Sequence, residues 1–220
     1  MAWISVKGRI DMNGSCHFEQ LLEGIELTGN LLVDVRALFV RWEQPYTFQH
    51  CLAVSQKVRR LAGRFSVDTV EAETAGLLHD LGNVVPASKM VALAEALELD
   101  ILPEERVFPG ILHQRLSAEM AHHLFQIDSE SILSAIGCHT TLKKGASPLD
   151  KVVFLADKMS WDQPGKAPFV DGLLNALGES LDCGALYYLD YLWERRSELS
   201  VLHPWLVEAR DELLKNRSDF

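Results

Sequence analysis

The clearest hydrophobic pattern in the chain lies between residues 50 and 65. Val54, Val58, Leu61 and Phe65 repeat at intervals of three or four residues, so they share one face of a helix. Upstream, residues 18–42 show a mixed and mainly helical pattern that Gly29 and Asn30 divide into two predicted helices. Pro45 then interrupts the chain before the next helix.

Similar helical patterns recur along the rest of the chain. They cover residues 67–82, 87–99, 110–125, 128–141, 147–159, 170–182, 185–199 and 205–216. The end signals are Gly82 as a stop, Asp128 as an N-cap, and Ser147, Pro148 and Asp150 as an S-x-x-D start with proline at the first helical position. No alternating run is long enough to indicate a sheet. We therefore predict one compact all-α domain with a separate N-terminal extension.

The overall charge restricts the class of partner. The formal net charge is −10, whereas a protein that binds a nucleic-acid polymer or an anionic membrane needs a basic face. A small phosphorylated substrate remains compatible with this charge, because a metal ion or a few local cations can reverse the sign inside a cleft.

Cysteine spacing and hydropathy bear on the cellular location. The four cysteines show no C-x-x-C spacing, which favours reduced thiols. No apolar run approaches the roughly 18 residues that a membrane span requires, and the first 12 residues lack the apolar core of a signal peptide. We therefore expect a cytoplasmic protein that does not bind membranes.

Six ionisable residues stand in or beside the predicted helices, several of them on or next to an apolar face. They are His50, His79, Asp80, His113, His139 and Asp157. A buried ionisable group needs a partner, and imidazole nitrogens with carboxylate oxygens are ligands that divalent metals accept. A single histidine on an apolar face is more often a core residue, and His17, His122, His123 and His203 are interpreted as structural or exposed.

Four histidines and two aspartates are enough to hold two metal ions if one aspartate bridges them. Two such ions activate a water molecule and clamp a phosphoryl oxygen. The adjacent His79 and Asp80 are suited to supply one terminal ligand and the bridge. Spacing alone leaves this six-residue site as one interpretation beside ordinary core packing.

The local context of the six residues adds a resemblance to a known family. The segments "FQHCLAV", "AGLLHDLGN", "GILHQRLSAEMA", "ILSAIGCHTT" and "LDKVVFLADKM" reproduce in order the pattern H…HD…H…H…D. This order resembles the HD-domain metal-dependent phosphohydrolases, and within them the YqeK-type symmetrical diadenosine-tetraphosphate hydrolases. The late segment "HPWLVEAR" is similar to the C-terminal helix of that group.

This resemblance implies an HD-domain helical bundle with additional N- and C-terminal helices. It implies an HD-type domain over residues 41–216, after a partly helical extension over residues 1–40. It also implies a dinuclear metal centre, commonly iron, although manganese, cobalt, nickel or zinc would suit the same ligands. The implied reaction is hydrolysis of a dinucleoside tetraphosphate to two nucleoside diphosphates.

When the ligand positions of the family are matched to this sequence, the resemblance implies which residues would hold each of the two metal ions. His50, His79, Asp80 and Asp157 would hold one ion, and Asp80 would bridge to a second ion held by His113 and His139.

The chain departs from this group at three places. Asn83 stands where a lysine usually follows the HD pair, and residues 159–165 read "MSWDQPG" in place of an acidic-proline stretch with an arginine. Residues 114–117 replace a glycine-containing stretch. The ligand set is thus complete, whereas several phosphate-binding groups are not.

Three residues are expected to act in catalysis: Asp80 as the bridge, Lys158 by neutralising developing charge, and Arg115 by holding distal phosphates. For both cations, simple surface solvation is the alternative. Because of the departures, hydrolysis of another nucleotide, such as a mononucleotide or an alarmone, is the second hypothesis. A regulatory HD module that binds a nucleotide without turnover is the third. The aromatic helix at residues 187–193 is either a homodimer surface or part of the core.

Overall fold

A computed structural model describes residues 18–161, 165 and 167–218. Within these ranges the chain forms eleven α-helices and no β-strand, which confirms the all-α prediction. The helices are α1 Leu31–Arg41, α2 Pro45–Arg64, α3 Thr69–Leu78, α4 Ala87–Ala96, α5 Pro103–Val107, α6 His113–Phe125, α7 Glu130–Gly137, α8 Pro148–Met159, α9 Val170–Glu179, α10 Leu181–Glu194 and α11 Pro204–Ser218. Short 3₁₀ turns cover Glu19–Leu22, Leu81–Val84 and Pro109–Leu112.

The long helix α2 is the centre of the bundle and packs against α3 and α8. Its predicted stripe is confirmed, because Val54, Val58 and Leu61 are buried in the common core. Burying each such side chain contributes about 1.5–3 kcal/mol. The backbones of α2 and α3 also approach closely: a Cβ added at Gly76 would lie 2.9 Å from the Cα of Ser55.

Helix α8 begins where its start signal predicted. The Ser147 hydroxyl accepts a hydrogen bond from the Asp150 amide at 3.1 Å, and the Asp150 carboxylate accepts one from the Ser147 amide at 2.8 Å. This capping box stabilises the first turn. The following turns bury Val152 and Val153, which fixes the side of the helix from which Asp157 projects.

The prediction of two helices within residues 18–42 is wrong in its first half. The only helical element before Gly29 in the described part of the chain is the 3₁₀ turn at Glu19–Leu22. Gly29 has a positive φ of 80°, and the Asn30 side chain caps α1 by accepting from the Val33 amide at 3.2 Å. The Gly-Asn pair therefore starts one helix and does not separate two.

Two further predicted ends need correction. Ser129, not Asp128, occupies the N-cap position of α7, and the Asp128 carboxylate instead lies 3.4 Å from the His122 ring. The Ser129 hydroxyl donates to Glu71 on α3, which fixes the start of α7 by tertiary contact. Helix α6 is shorter than its pattern, because the segment before His113 forms a 3₁₀ turn.

Both ends of the described chain join the same core. Val35, Leu38 and Phe39 of α1 are fully buried, and Leu206 and Leu213 of α11 are nearly so. Residues 1–17 of the predicted N-terminal extension lie outside the described residues, and the boundary near residue 41 stays a prediction. No helix in the described ranges is long and apolar enough to cross a bilayer.

Candidate metal centre

The structure brings the six predicted ligands together from five segments of the bundle. His50 lies in α2, His79 and Asp80 follow α3, His113 begins α6, His139 follows α7, and Asp157 lies in α8. His79 and His139 are fully or almost fully buried, and Asp80 is 9% exposed. We call these six residues the imidazole cluster.

Asp80 lies at the middle of the imidazole cluster. Its Oδ2 is 3.5 Å from Nε2 of His79 and 3.9 Å from Nε2 of His50. Its Oδ1 is 3.3 Å from Nε2 of His113 and 3.5 Å from Nε2 of His139. Each oxygen of one carboxylate therefore faces a different pair of imidazoles.

Asp157 closes the side of the cluster that contains His50 and His79. Its Oδ1 is 3.0 Å from Nε2 of His50 and 3.6 Å from Nε2 of His79. Two sets of side chains have ligand atoms close enough together to hold one cation. The first set is His50, His79 and Asp157, and the second is His79, Asp80 and His139.

Backbone carbonyls fix the orientation of three of the rings. Nδ1 of His79, His113 and His139 lies 2.9, 2.7 and 2.8 Å from the carbonyl oxygen three residues earlier in the chain. A carbonyl oxygen only accepts, so Nδ1 carries the proton in each ring and Nε2 of the neutral ring has a free lone pair. This is the outer-shell arrangement that orients metal-binding histidines.

The two carboxylates carry charge at neutral pH. Burial would raise the pKa of Asp80, but the neighbouring rings of His79, His113 and His139 hold it well below its usual range. Burial would also raise the pKa of Asp157, which Lys158, His50 and His79 lower strongly. The cluster therefore presents negative charge to its centre.

The imidazoles respond to that charge in opposite ways. Burial would lower the pKa of His79, but Asp80 and Asp157 raise it well above its ordinary value. Burial, followed by the neighbouring His79 and His113, lowers the pKa of His139 to about 4, although Asp80 opposes the change. The cluster thus favours positive charge near His79. His139 stays neutral, so its Nε2 lone pair is available to a metal ion.

These features fit a bound divalent cation. Nε2 of His79 is completely buried and has no hydrogen-bond partner. Nε2 of His113 and Nε2 of His139 are only 3.0 Å apart, although both rings direct their Nδ1 protons elsewhere. Lone pairs that converge in this way need a proton or a metal ion between them, and the nitrogen and oxygen donors suit first-row divalent metals.

Gly82 has a different role from the predicted helix stop, because α3 already ends at Leu78. A Cβ added at Gly82 would lie 2.4 Å from the His113 carbonyl oxygen. Glycine therefore lets the HD turn approach the start of α6. The Gly82 amide also donates to the Ser117 hydroxyl at 2.8 Å, which ties the turn to that helix.

A buried glutamine positions His139 relative to His113. The Gln114 side-chain oxygen accepts from the amides of Thr140 and Thr141 at 3.0 and 3.3 Å, and its nitrogen donates to the Thr141 hydroxyl at 3.1 Å. Sequence reasoning missed the roles of Gln114 and Ser117. The available signal was two polar residues on the core-facing side of α6.

Lys158 is brought to the cluster. Its Nζ donates to Oδ2 of Asp157 at 2.7 Å, and the residue lines the same cavity as the six. Burial would lower its pKa, but Asp157 and then Tyr188 raise it above the ordinary lysine value. Lys158 therefore stays protonated beside the carboxylate.

Arg115 is not brought to the cluster, although it follows His113 by two residues. Its guanidinium donates to the Asp100 carbonyl at 2.6 Å and to Oε2 of Glu105 at 2.9 Å, and it lies 5.8 Å from the centre of the Trp205 ring. A helix turns by roughly 200° over two residues, so Arg115 leaves on the other side of α6.

The imidazole cluster opens into a cavity of about 280 Å³, which we call the cluster cavity. Five of the six predicted ligands line it, all except the deeper His79, together with Thr140, whose hydroxyl is 3.2 Å from Nε2 of His113. Its described lining also includes residues that sequence reasoning had not selected for the site: Ser160, Trp161, Phe169 and Tyr188. A larger and mostly apolar cavity of about 640 Å³ lies elsewhere, near Cys183, so cavity size does not mark the site.

Comparison with known proteins finds several relatives of this chain. An uncharacterized protein in the pepC 5′ region of Lactococcus lactis subsp. cremoris is 50% identical over 65% of this chain and 72% of its own length. A symmetrical bis(5′-nucleosyl)-tetraphosphatase from Staphylococcus aureus is 32% identical over 57% of this chain and 63% of its own. The relatives whose names state a hydrolase activity are matched over 31% to 66% of their own length.

A solved structure shares the fold over most of both chains. It is described as a predicted HD superfamily hydrolase involved in NAD metabolism from Clostridium acetobutylicum. It is 27% identical, covers 83% of this chain and 96% of its own, and superposes with a TM-score of 0.77. The HD domain family profile matches residues 47–162, more than half of the chain and the range that contains all six ligands. The chain therefore belongs to the HD domain family of metal-dependent phosphohydrolases.

Proposed function

We propose that this protein hydrolyses a dinucleoside tetraphosphate, such as diadenosine tetraphosphate, to two nucleoside diphosphates. The observation that carries the proposal is the position of Asp80, whose two carboxylate oxygens each face a separate pair of imidazoles. One carboxylate placed in this way is suited to bridge two cations. The names of several relatives support the choice of substrate.

The proposed ligand sets follow from the two sides of Asp80. His50, His79 and Asp157 share one side of Asp80, and His113 with His139 the other. Iron is the metal that the resemblance implies, and manganese, cobalt, nickel or zinc would suit the same donors. When bound, such ions polarise a phosphoryl oxygen and lower the pKa of a water molecule.

The remaining groups of the cavity are assigned by position. Lys158 places a permanent positive charge beside Asp157, where it opposes the negative charge that develops on a phosphate leaving group. The Thr140 hydroxyl lies at the edge of the cluster and is placed to hydrogen-bond a phosphate oxygen. Arg115 is bound to Asp100 and Glu105, away from the cluster, so its proposed role is to fix the position of α6.

One observation favours a second candidate, hydrolysis of a nucleotide with fewer phosphates. Among the described residues that line the cluster cavity, Lys158 alone has a permanent positive charge. Asn83 lies in that lining, where the symmetrical hydrolases usually have a lysine. A tetraphosphate has more negative charge to neutralise than a mononucleotide, so weak cationic support is better matched to the smaller substrate.

Product analysis of metal-loaded protein tests the proposal. Diadenosine tetraphosphate should yield ADP as the only nucleotide product, and the Asp80→Asn variant should yield none under the same conditions. An Asp128→Asn variant is the matched control, because Asp128 is an exposed carboxylate beside His122 at the surface.

Three results would overturn the assignment. Formation of AMP with ATP would reject symmetrical cleavage. Turnover of mononucleotides alone would favour the second candidate. Binding of nucleotides without turnover of any of them would favour a regulatory module.

Location and assembly remain proposals. Cys51, Cys138 and Cys183 are free thiols, as expected in the reducing cytoplasm. In the aromatic part of α10, Tyr188 packs against Phe154 and Phe169. For Tyr188 these contacts favour the alternative that the aromatic helix belongs to the core. Formation of a homodimer stays a prediction.

A further inference from the structure

A second cavity opens directly from the imidazole cluster. It has a volume of about 580 Å³, within the 300–1,000 Å³ typical of small-molecule sites. Five residues line both this cavity and the cluster cavity: His50, Asp80, Asn83, Ser160 and Trp161. We call it the side cavity. A ligand with its phosphates at the cluster therefore has a direct path into the side cavity.

The chemistry of the side cavity differs from that of the cluster cavity. Its described lining contains no lysine or arginine, whereas Lys158 lies in the cluster cavity. Phosphate groups call for charged donors, so this lining is poorly matched to them. It is better matched to the uncharged part of a nucleotide.

Two aromatic side chains form exposed walls of the side cavity. Tyr46, in the first turn of α2, is 88% exposed, and Trp161, just after α8, is 42% exposed. Trp161 also packs against Phe169 with ring centres 5.8 Å apart, which holds the indole where the two cavities meet. Large exposed aromatic residues beside a catalytic cluster are typical of binding surfaces, since exposure of such groups brings no stability to the fold.

The polar groups between these walls suit a nucleoside. Asn83 lines both cavities, and its side-chain amide makes no hydrogen bond to any other described residue. A carboxamide offers two donors and an acceptor, which can pair with the edge of a base or with a ribose hydroxyl. Asn83 therefore replaces the usual lysine with a group that recognises neutral polar atoms.

We propose that the side cavity is a nucleoside subsite, in which Trp161 and Tyr46 bind the planar base and Asn83 hydrogen-bonds the nucleoside. The proposal rests on the proposed function for one point only, the placement of the phosphates at the imidazole cluster. It assigns the side cavity to a heterocyclic base and the cluster cavity to phosphate.

Calorimetric titration of the manganese-loaded protein with two ligands tests this division. ADP carries a base and a diphosphate, and pyrophosphate carries only the diphosphate. Base–aromatic stacking contributes about 1–3 kcal/mol, so wild-type protein should bind ADP about 10-fold or more tightly than pyrophosphate. Trp161→Ala should remove most of that difference and leave the affinity for pyrophosphate within about 2-fold, because an indole ring supplies stacking to a base and no charged donor to phosphate.

Matched variants separate stacking from unfolding. Trp161→Phe keeps an aromatic face and should retain a preference for ADP, and Tyr46→Ala should weaken ADP less than Trp161→Ala because Tyr46 is the more exposed wall. Leu174→Ala removes an exposed apolar side chain on α9, outside both cavities, and should change neither affinity. Thermal unfolding of each variant identifies loss of structure. If Trp161→Ala does not fold, Trp161→Phe and Tyr46→Ala carry the test.

The titration tests the nucleoside subsite, and the turnover assay tests the proposed hydrolysis, so each proposal can be rejected without the other. Equal affinity of wild-type protein for ADP and pyrophosphate would overturn the nucleoside subsite, even if diadenosine tetraphosphate is hydrolysed. Equal weakening of both ligands by Trp161→Ala would overturn it as well. A preference for ADP that depends on Trp161, in a protein without turnover, would uphold the subsite and reject the proposed hydrolysis.

Discussion

Helix α6 contributes to two largely buried ionic clusters that differ in two respects. His113, at its start, belongs to the imidazole cluster, and Arg115, two residues later, belongs to a second cluster with Glu105 of α5 and His203 just before α11. We call the second set the Glu105 cluster. Both place a carboxylate about 3.5 Å from an imidazole Nε2. The first difference lies in which ring nitrogen carries the proton.

In the Glu105 cluster the ring is oriented as a donor. Nδ1 of His203 accepts from the Trp205 amide at 3.2 Å, so the proton of the neutral ring is on Nε2, which faces Oε1 of Glu105 at 3.5 Å. In the imidazole cluster Nδ1 of His139 donates to the Ile136 carbonyl, and the Nε2 lone pair of this neutral ring faces Oδ1 of Asp80 at 3.5 Å.

The second difference lies in the balance of fixed charges. One carboxylate and one guanidinium balance in the Glu105 cluster, whereas two carboxylates face a single ammonium in the imidazole cluster. Among the described residues, Oε1 of Glu105 and Nε2 of His203 lack any closer hydrogen-bond partner, but the fixed charges of the Glu105 cluster balance without a bound ion. In the imidazole cluster the second carboxylate is left to His79, whose pKa the two carboxylates raise. A bound cation could take the place of that proton, which distinguishes this site from a buried ion pair.

The largest expected effect is loss of activity when Asp80 is replaced. Asp80→Asn keeps the shape of the side chain and removes the charge between the two imidazole pairs. Metal polarisation contributes several kcal/mol to phosphoryl transfer, so kcat/KM should fall by about 10³-fold or more. Steady-state kinetics on metal-loaded protein measures the change, and a loss smaller than about 10-fold would show that Asp80 is not the bridge.

Replacing the carboxylate of the Glu105 cluster should affect stability first. Glu105→Gln removes the charge of a fully buried carboxylate and leaves the largely buried Arg115 without its charged partner, which lowers the free energy of unfolding by about 3 kcal/mol. Urea denaturation at pH 7 measures this change in the free energy of unfolding. The folded variant should keep bound metal, because Glu105 does not contact the imidazole cluster. Loss of metal with unchanged stability would reverse the roles that we assign to the two clusters.

A pair of glycine substitutions tests the contact between the HD turn and α6. Gly82→Ala places a Cβ against the His113 carbonyl, so it should destabilise the protein by about 2 kcal/mol and reduce activity by moving His113. The matched control is Gly63→Ala in α2, where no atom lies within 4 Å of the added Cβ. That variant should be more stable by about 0.5 kcal/mol. Similar changes in both variants would contradict the close approach.

The smallest effect is a pH dependence of the Glu105 cluster. Burial would raise the pKa of Glu105, but His203, the Leu102 amide and Arg115 lower it. A carboxyl with a depressed pKa in the folded state stabilises the protein above its unfolded pKa, and this contribution disappears as the pH falls through the folded value. The stability difference between wild type and Glu105→Gln should therefore shrink as the pH falls from 7 to 3. A difference that grows toward acid would contradict the assigned charge state.

The sequence was sufficient for the fold class and for the convergence of the six residues, whose role as metal ligands stays a prediction. Helical periodicity shows which face of a segment is buried, as it did for α2 and α8. The HD resemblance added the convergence of five segments, which periodicity alone had left open beside core packing.

Several of the predictions that failed concern partners that are distant in sequence. Arg115 is held by Glu105 and Asp100, and neither contact follows from its closeness to His113 in the sequence. Ser129 starts α7 because it bonds to Glu71, some 60 residues away. The proton positions on the rings depend on backbone carbonyls at helix ends, which the pattern of side chains does not report.

The account rests on two cations flanking Asp80. Anomalous scattering from crystals of protein purified without chelator tests this most directly. We expect two metal peaks, one on the side of His50, His79 and Asp157 and one on the side of His113 and His139, with Asp80 contacting both. A single peak that Asp80 does not touch, or a fully occupied crystal in which His113 and His139 bind no metal, would contradict the account.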